Sequence, residues 1–243
     1  MAIYYLLSGP NKTTGLKGEI VSYLQRDLLG KKRLITIAST PDDFEKNDKY
    51  FYGDNLEILG AVKMFKILNT SLEDFKLIDS RVQKEEAVKL IKEADIIYLM
   101  PGNPITQIEY LNSNGFNGLI KSSNGIVLGV SAGSMNIAKT SYYSKDEDYP
   151  KTFMYEGLGL IDITIDPHFN VNDKTQVQEA INESIKHEII GLPNESSIII
   201  SDDVIYIGDY YQINNGKIIE HKSNENNNTL GSKKLNYLYT KIL

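Results

Sequence analysis

Short, continuously apolar segments alternate with amphipathic segments from Ile3 to Val130, and this alternation constrains the fold more than any other feature. The apolar segments are Ile3 to Leu7, Leu34 to Ala38, Phe75 to Ile78, Ile96 to Met100 and Ile126 to Val130. The amphipathic segments between them are Leu16 to Leu29, Asn55 to Leu68, Val82 to Glu93 and Ile105 to Asn112. Continuous apolar runs are typical of strands that are buried on both faces. The order predicts an α/β fold with a mostly parallel sheet and helices on both faces.

The last third of the chain has a different pattern. Further strands are predicted at Ile161 to Ile165, Ile198 to Ile200, Val204 to Ile207 and Lys217 to Ile219, with Asn215-Gly216 as a hairpin turn. We expect antiparallel additions at one edge of the sheet. Asp173 is a predicted N-cap, and Gln176 completes a capping-box pattern. With no repeat or linker, residues 1–243 are predicted to form a single domain.

The composition argues against several classes of binding partner and indicates a cellular compartment. A net charge of −6 argues against nucleic acid or an anionic membrane as a partner. The chain has no cysteine, which excludes disulfides, thiolate metal sites and cysteine catalysis. The N-terminal segment has neither the basic region of a signal peptide nor the length of a membrane span, so a cytoplasmic location is expected. No ligand spacing predicts a metal or another cofactor, and a homodimer is left open.

The most informative motif is Gly129-Val130-Ser131-Ala132-Gly133, which follows an apolar strand and precedes a helix-like segment. A serine between two glycines at a strand-to-helix turn is typical of a nucleophile, because the sharp turn projects its hydroxyl from the edge of the sheet. The backbone N–H of Ala132 would then supply one oxyanion donor. A second donor is expected at Gly102, after the neighbouring strand.

A serine nucleophile needs a base, and histidine is suited to that role. Of the three histidines, His168 follows a predicted strand, where such sheets gather their ligand sites. We expect His187 to be a solvated helical residue and His221 to lie beside a polar loop. The residues alone leave the orienting acid open among Asp146, Glu147, Asp148, Glu156, Asp162 and Asp166.

Several motifs together resemble peptidase family S51, which includes the aspartyl dipeptidases and the cyanophycinases. The motifs are Gly129-Val-Ser-Ala-Gly-Ser134, Ile97-Tyr-Leu-Met-Pro-Gly-Asn103, Gly157-Leu-Gly-Leu-Ile161, Ile165-Asp-Pro-His-Phe169 and Gly191-Leu-Pro-Asn-Glu195. The resemblance implies a Ser-His-acid hydrolase on a class I glutamine-amidotransferase-like sheet. It implies Ser131 as nucleophile, His168 as general base and Gly102 and Ala132 as oxyanion donors. It favours Asp146 as the acid and keeps Glu156 as an alternative.

Two departures from the family pattern bear on the substrate. Pro101-Gly102-Asn103 stands where the family has Gly-Gly-Asn, and the arginine that meets an N-terminal aspartate in the aspartyl dipeptidases is missing. Lys174 is the only cation in the segment from Asp173 to Glu179. Asn103 and Lys174 are therefore the candidates for contact with substrate, and cleavage of Asp-X dipeptides is not implied.

The sequence thus predicts a serine peptidase that acts on small peptides, as a dipeptidase or by releasing N-terminal residues. Two other functions are left open. One is an α/β-hydrolase-type esterase that uses the same serine with His221. The other is a non-catalytic member of the same fold that binds a peptide or another small molecule.

Overall fold

The computed structural model describes residues 2–10, 15–16, 18–53 and 60–223. The strands are β1 (Ile3–Leu7), β2 (Arg33–Ile37), β3 (Asp74–Ile78), β4 (Ile96–Leu99), β5 (Ile126–Val130), β6 (Thr140–Tyr143), β7 (Phe153–Glu156), β8 (Ile165–Pro167), β9 (Ile189–Leu192), β10 (Ser197–Ile200), β11 (Val204–Ile207), β12 (Tyr210–Asn214) and β13 (Lys217–His221). The helices are α1 (Glu19–Asp27), α2 (Phe44–Tyr52), α3 (Ala61–Ile67), α4 (Lys84–Lys92), α5 (Pro104–Asn114), α6 (Phe116–Lys121), α7 (Ala132–Ile137) and α8 (Lys174–Glu183).

Seven strands form the central sheet in the order β11-β10-β1-β5-β4-β2-β3. Strands β1 to β5 are mutually parallel, and β10 and β11 are antiparallel additions at one edge. The predicted fold class is therefore confirmed: a large, mostly parallel sheet flanked by helices, with extra antiparallel strands. Of the helix predicted at Asn55 to Leu68, residues 54–59 lie outside the described part of the chain, and α3 covers Ala61–Ile67.

Burial on both faces explains the continuous apolar strands. Tyr5 and Leu7 of β1 belong to the core cluster on one face of the sheet, and Leu6 belongs to the cluster on the other face. These three side chains are at most 1% exposed. Successive side chains of a strand point to opposite faces, so a strand between two helical layers has no polar side.

A second sheet, in the order β13-β12-β9-β8, stands beside the central one. β10 and β11 are the antiparallel additions expected at one edge of the central sheet, whereas the strand predicted at Lys217 to Ile219 belongs to this second sheet instead. Strands β12 and β13 instead cover a separate small core that includes Tyr211, Ile213 and Phe169. The strand predicted at Ile161 to Ile165 also begins later than expected, at Ile165, and Ile161 makes only an isolated bridge to Ala138.

Other elements were not predicted: helices α2 and α6, the antiparallel hairpin β6–β7, and strands β9 and β12. Across the described ranges, no helix is long and apolar enough to pass through a lipid bilayer.

Candidate active site

Ser131 lies in the sharp turn between β5 and α7, with φ 50° and ψ −110°. Both glycines of the motif are required by close backbone contacts. A Cβ at Gly129 would lie 2.4 Å from the carbonyl carbon of Gly133, and a Cβ at Gly133 would lie 2.1 Å from the carbonyl oxygen of Leu99. Larger residues would therefore push the turn away from the sheet. The turn has the geometry that a nucleophilic serine requires.

His168 follows β8 and reaches Ser131 from the second sheet. Its Nε2 lies 2.8 Å from Ser131 Oγ, which is hydrogen-bonding distance. The His168 backbone has a positive φ of 57° and is held by Ser8, whose Oγ accepts a 2.7 Å hydrogen bond from the His168 N–H. The Ser8 hydroxyl in turn donates to the carbonyl of Leu192 at 2.8 Å. Ser8, which is buried and directly follows β1, thus connects the central sheet to the end of β8 at His168 and to β9 at Leu192.

The second nitrogen of His168 contacts Asn194 rather than a carboxylate. His168 Nδ1 lies 2.6 Å from Asn194 Oδ1. Sequence reasoning missed this residue because it sought an acid between Ser131 and His168. The sequence feature that could have indicated Asn194 is its position shortly after the apolar run Ile189–Leu192. This run forms β9, which pairs in parallel with β8.

Asp146, the acid that the resemblance favours, is not brought to His168. Its carboxylate accepts hydrogen bonds from the Tyr143 hydroxyl at 2.6 Å and from the Tyr149 N–H at 2.8 Å. These contacts close the loop between β6 and β7. The position beside His168 Nδ1, which was expected for Asp146, is occupied by Asn194. Glu156, the alternative acid, is exposed at the end of β7.

The candidate oxyanion donors follow neighbouring strands of the central sheet. β4 and β5 pair in parallel, with Leu99 opposite Gly129, so Gly102 and Ala132 both lie beyond the same ends of these strands. Gly102 has a φ of 138°, and a Cβ there would lie 2.1 Å from Ser39 Oγ. The Ser39 hydroxyl donates to the Pro101 carbonyl at 2.7 Å. The turn therefore needs glycine at position 102 but accepts proline before it.

The two candidate substrate contacts have different surroundings. Asn103 is the N-cap of α5, as its sequence position before Pro104 indicates, and its Oδ1 accepts the N–H groups of Ile105 and Thr106 at 3.0 Å each. That oxygen is therefore engaged by the helix. Lys174 is exposed in the first turn of α8, and its contact with substrate remains a prediction.

The other two histidines lie elsewhere. His187 is exposed but follows the end of α8 instead of lying within it. His221 belongs to β13, where its ring stacks on Tyr210 with 4.4 Å between ring centroids. An esterase that pairs Ser131 with His221 therefore has no support in this arrangement, because His168 already occupies the position beside Ser131 Oγ.

A buried carboxyl lies two residues before His168. Asp166 is 2% exposed and accepts hydrogen bonds from Ser144 Oγ at 2.8 Å and Gln176 Nε2 at 3.1 Å. Burial raises the pKa of Asp166 to about 7, against the lowering effect of these two hydrogen bonds. Gln176 also accepts the Asn170 N–H at 2.9 Å. It therefore ties the loop after His168 to Asp166 and does not close the predicted capping box, although Asp173 is the N-cap of α8.

Comparisons with known proteins agree with this architecture. The family model described as Peptidase family S51 matches residues 58–208. A peptidase structure from an acI-B1 Actinobacterium has a TM-score of 0.65 and 18% identity, over 93% of this chain and 96% of that chain. A putative peptidase E protein from Listeria monocytogenes EGD-e has a TM-score of 0.59 and 20% identity, over 85% and 98% respectively. No curated protein matches the sequence.

Proposed function

The chain belongs to peptidase family S51, and on that premise we propose that it is a serine peptidase that hydrolyses small peptides. The observation that carries this proposal is the 2.8 Å contact between Ser131 Oγ and His168 Nε2, made at a strained strand-to-helix turn. A hydroxyl in contact with an imidazole can be activated as a nucleophile. The structural similarity to a putative peptidase E protein supports a short substrate, either a dipeptide or a peptide that loses its N-terminal residue.

The proposed reaction proceeds through an acyl-enzyme. His168 Nε2 takes the Ser131 proton as Oγ attacks the scissile carbonyl carbon, and the N–H groups of Gly102 and Ala132 donate to the oxygen that becomes negative. His168 then gives the proton to the leaving amine as the C–N bond breaks. His168 Nε2 then takes a proton from a water molecule as the water oxygen attacks the ester carbonyl carbon. The C–Oγ bond breaks, His168 returns the proton to Ser131 Oγ, and the carboxylic acid is released. Each oxyanion donor is expected to contribute on the order of 10²–10³ in rate.

The test is Ser131→Ala, measured with a fluorophosphonate probe and a dipeptide library that includes Asp-X substrates. The wild-type protein should react with the probe and hydrolyse part of the library. Loss of Oγ should abolish labelling and lower kcat by on the order of 10⁴-fold or more, because no other group can form the ester. A circular dichroism spectrum should show that the fold is retained.

Ser122→Ala is the matched control, since Ser122 is an exposed serine at the end of α6 whose hydroxyl donates only locally, to Leu119. It should keep both labelling and turnover. Turnover that is unchanged in Ser131→Ala would end the proposal. A wild-type protein that binds peptides but reacts with no serine-directed probe would instead indicate a non-catalytic peptide-binding protein.

A further inference from the structure

We propose that Asn194 is the positioning residue for His168, so that the catalytic group is Ser131–His168–Asn194 and ends in a neutral amide. This inference rests on the proposed function. Its geometric basis is that His168 makes one short contact at each ring nitrogen, 2.8 Å from Nε2 to Ser131 Oγ and 2.6 Å from Nδ1 to Asn194 Oδ1.

The contact with Asn194 selects the tautomer of the imidazole. An amide oxygen can only accept a hydrogen bond, so in the neutral ring this contact favours the tautomer with its proton on Nδ1. Nε2 then carries a lone pair and can accept the Ser131 proton. Without an acceptor at Nδ1, the ring is free to rotate and to adopt the other tautomer, which cannot serve as the base.

The fold brings Asn194 to this position through the pairing of β8 and β9. Pro167 lies opposite Leu192 in this parallel pair, so the residues that follow both strands emerge at one edge. A tight turn then presents Asn194, since the Ser196 N–H donates to the Pro193 carbonyl at 3.1 Å. The turn is fixed to the end of β1 by a 2.9 Å hydrogen bond from the Glu195 N–H to the Gly9 carbonyl.

Gly9 provides the space in which the two side chains meet. A Cβ at Gly9 would lie 2.8 Å from His168 Cε1 and 3.1 Å from Asn194 Oδ1. The His168 ring and the Asn194 amide therefore both pack closely against the backbone of Gly9. A side chain at residue 9 would press on both partners at once, which indicates that their contact is part of how this site is built.

Asp166 and Asp146, two carboxylates on the surrounding elements, are hydrogen-bonded to other residues. Asp166 on β8 is hydrogen-bonded to Ser144 and Gln176. Asp146 is bound to Tyr143 and Tyr149. Glu195 follows Asn194 directly, so its carboxylate is the natural competitor and supplies the control in the test.

A neutral amide and a carboxylate have different consequences for the base. Both accept the Nδ1 proton, but a carboxylate also attracts the imidazolium and makes the ring harder to deprotonate. Asn194→Asp should therefore move the acid limb of kcat/KM and the titration midpoint of His168 upward by about one pH unit.

The experiment combines NMR titration with pH–rate profiles for the wild type, Asn194→Asp, Asn194→Ala and Glu195→Gln. The chain has three histidines, so the Cε1–H signal of His168 can be assigned by its loss in His168→Gln. Asn194→Ala should lower kcat on the pH plateau by on the order of 10²-fold with little change in KM, because the ring loses its orientation. Glu195→Gln should shift the midpoint far less than Asn194→Asp does.

The proposal is overturned if Asn194→Asp leaves both the midpoint and the acid limb in place, or if Glu195→Gln moves them more. Asn194→Asp keeps this test available even if Asn194→Ala does not fold, since it preserves an acceptor oxygen. The titration also separates the two proposals. A midpoint shift in a protein that hydrolyses no peptide would support the Asn194 contact and reject the peptidase function.

Discussion

Ser131, His168 and Glu195 share a positive backbone φ, which is uncommon for residues other than glycine, with values of 50°, 57° and 68°. The other described non-glycine residues with positive φ are Asn69 and Asn215, and asparagine adopts this region more readily than most residues. Serine and glutamate do so less readily, and holding a non-glycine residue in such a conformation costs on the order of 1–3 kcal/mol. All three lie at or beside the contacts among Ser131, His168 and Asn194. This concentration of strain is what a site with a rigid arrangement of side chains requires.

At Asp146, the structure leads to a prediction opposite to that of the resemblance. Asp146→Asn should change kcat/KM by no more than about threefold, because the carboxylate binds Tyr143 and Tyr149 rather than His168. Steady-state kinetics on a cleaved dipeptide would measure this, with the exposed neighbour Asp148→Asn as the control. A loss of on the order of 10²-fold in Asp146→Asn alone would restore Asp146 as the orienting acid.

The short helix α7 holds the nucleophile by a buried hydroxyl. Ser134 is fully buried, donates to the Gly129 carbonyl at 2.6 Å and accepts the Leu7 N–H at 2.9 Å. It thereby connects α7 to β5 and β1. Ser134→Ala should lower the free energy of unfolding by about 1–3 kcal/mol, because it leaves the Leu7 N–H buried without this acceptor.

Urea denaturation would measure the change, and Ser113→Ala would serve as the control because Ser113 is an exposed serine of α5. The prediction is contradicted if the two variants lose the same stability. A lower kcat/KM of Ser134→Ala at temperatures where the variant remains folded would also show that the hydrogen bonds of Ser134 position Ser131.

A strand or helix can be predicted from the sequence when its own residues are enough to determine its structure. β1 and β5 were recognisable because burial on both faces leaves a continuous apolar run. The hairpin β6–β7 was missed because its strands are short, rich in tyrosine and separated by a polar loop. Asn194 could not be identified as a partner of His168 without the β8–β9 pairing, which joins residues 26 positions apart. Its amide also lacks the charge by which an orienting residue is usually sought.

At the scale of the molecule, the site joins two sheets. Ser131 follows a strand of the central sheet, whereas His168 and Asn194 follow strands of the second sheet. Ser8 bonds across the junction to His168 and Leu192. Any change that shifts one sheet against the other therefore alters the distance over which the proton moves. Stability of the second sheet and activity should be linked for this reason.

Asp166 makes the stability of the whole molecule depend on pH. Its pKa is raised to about 7 by burial, whereas an unfolded aspartate has a pKa of about 3.9. Between these values the native state holds a proton that the unfolded chain has released, so this contribution to stability is complete below about pH 4 and is lost as pH rises through about 7. The loss is on the order of 2–4 kcal/mol.

Asp166→Asn removes this titration while still offering hydrogen-bonding groups to Ser144 and Gln176. Urea unfolding at intervals from pH 5 to pH 8 should therefore show Asp166→Asn gaining stability over the wild type as pH increases. The exposed Asp162→Asn changes the net charge equally and should give a constant difference. A constant difference for Asp166→Asn as well would mean that Asp166 is already ionised at the lowest pH tested.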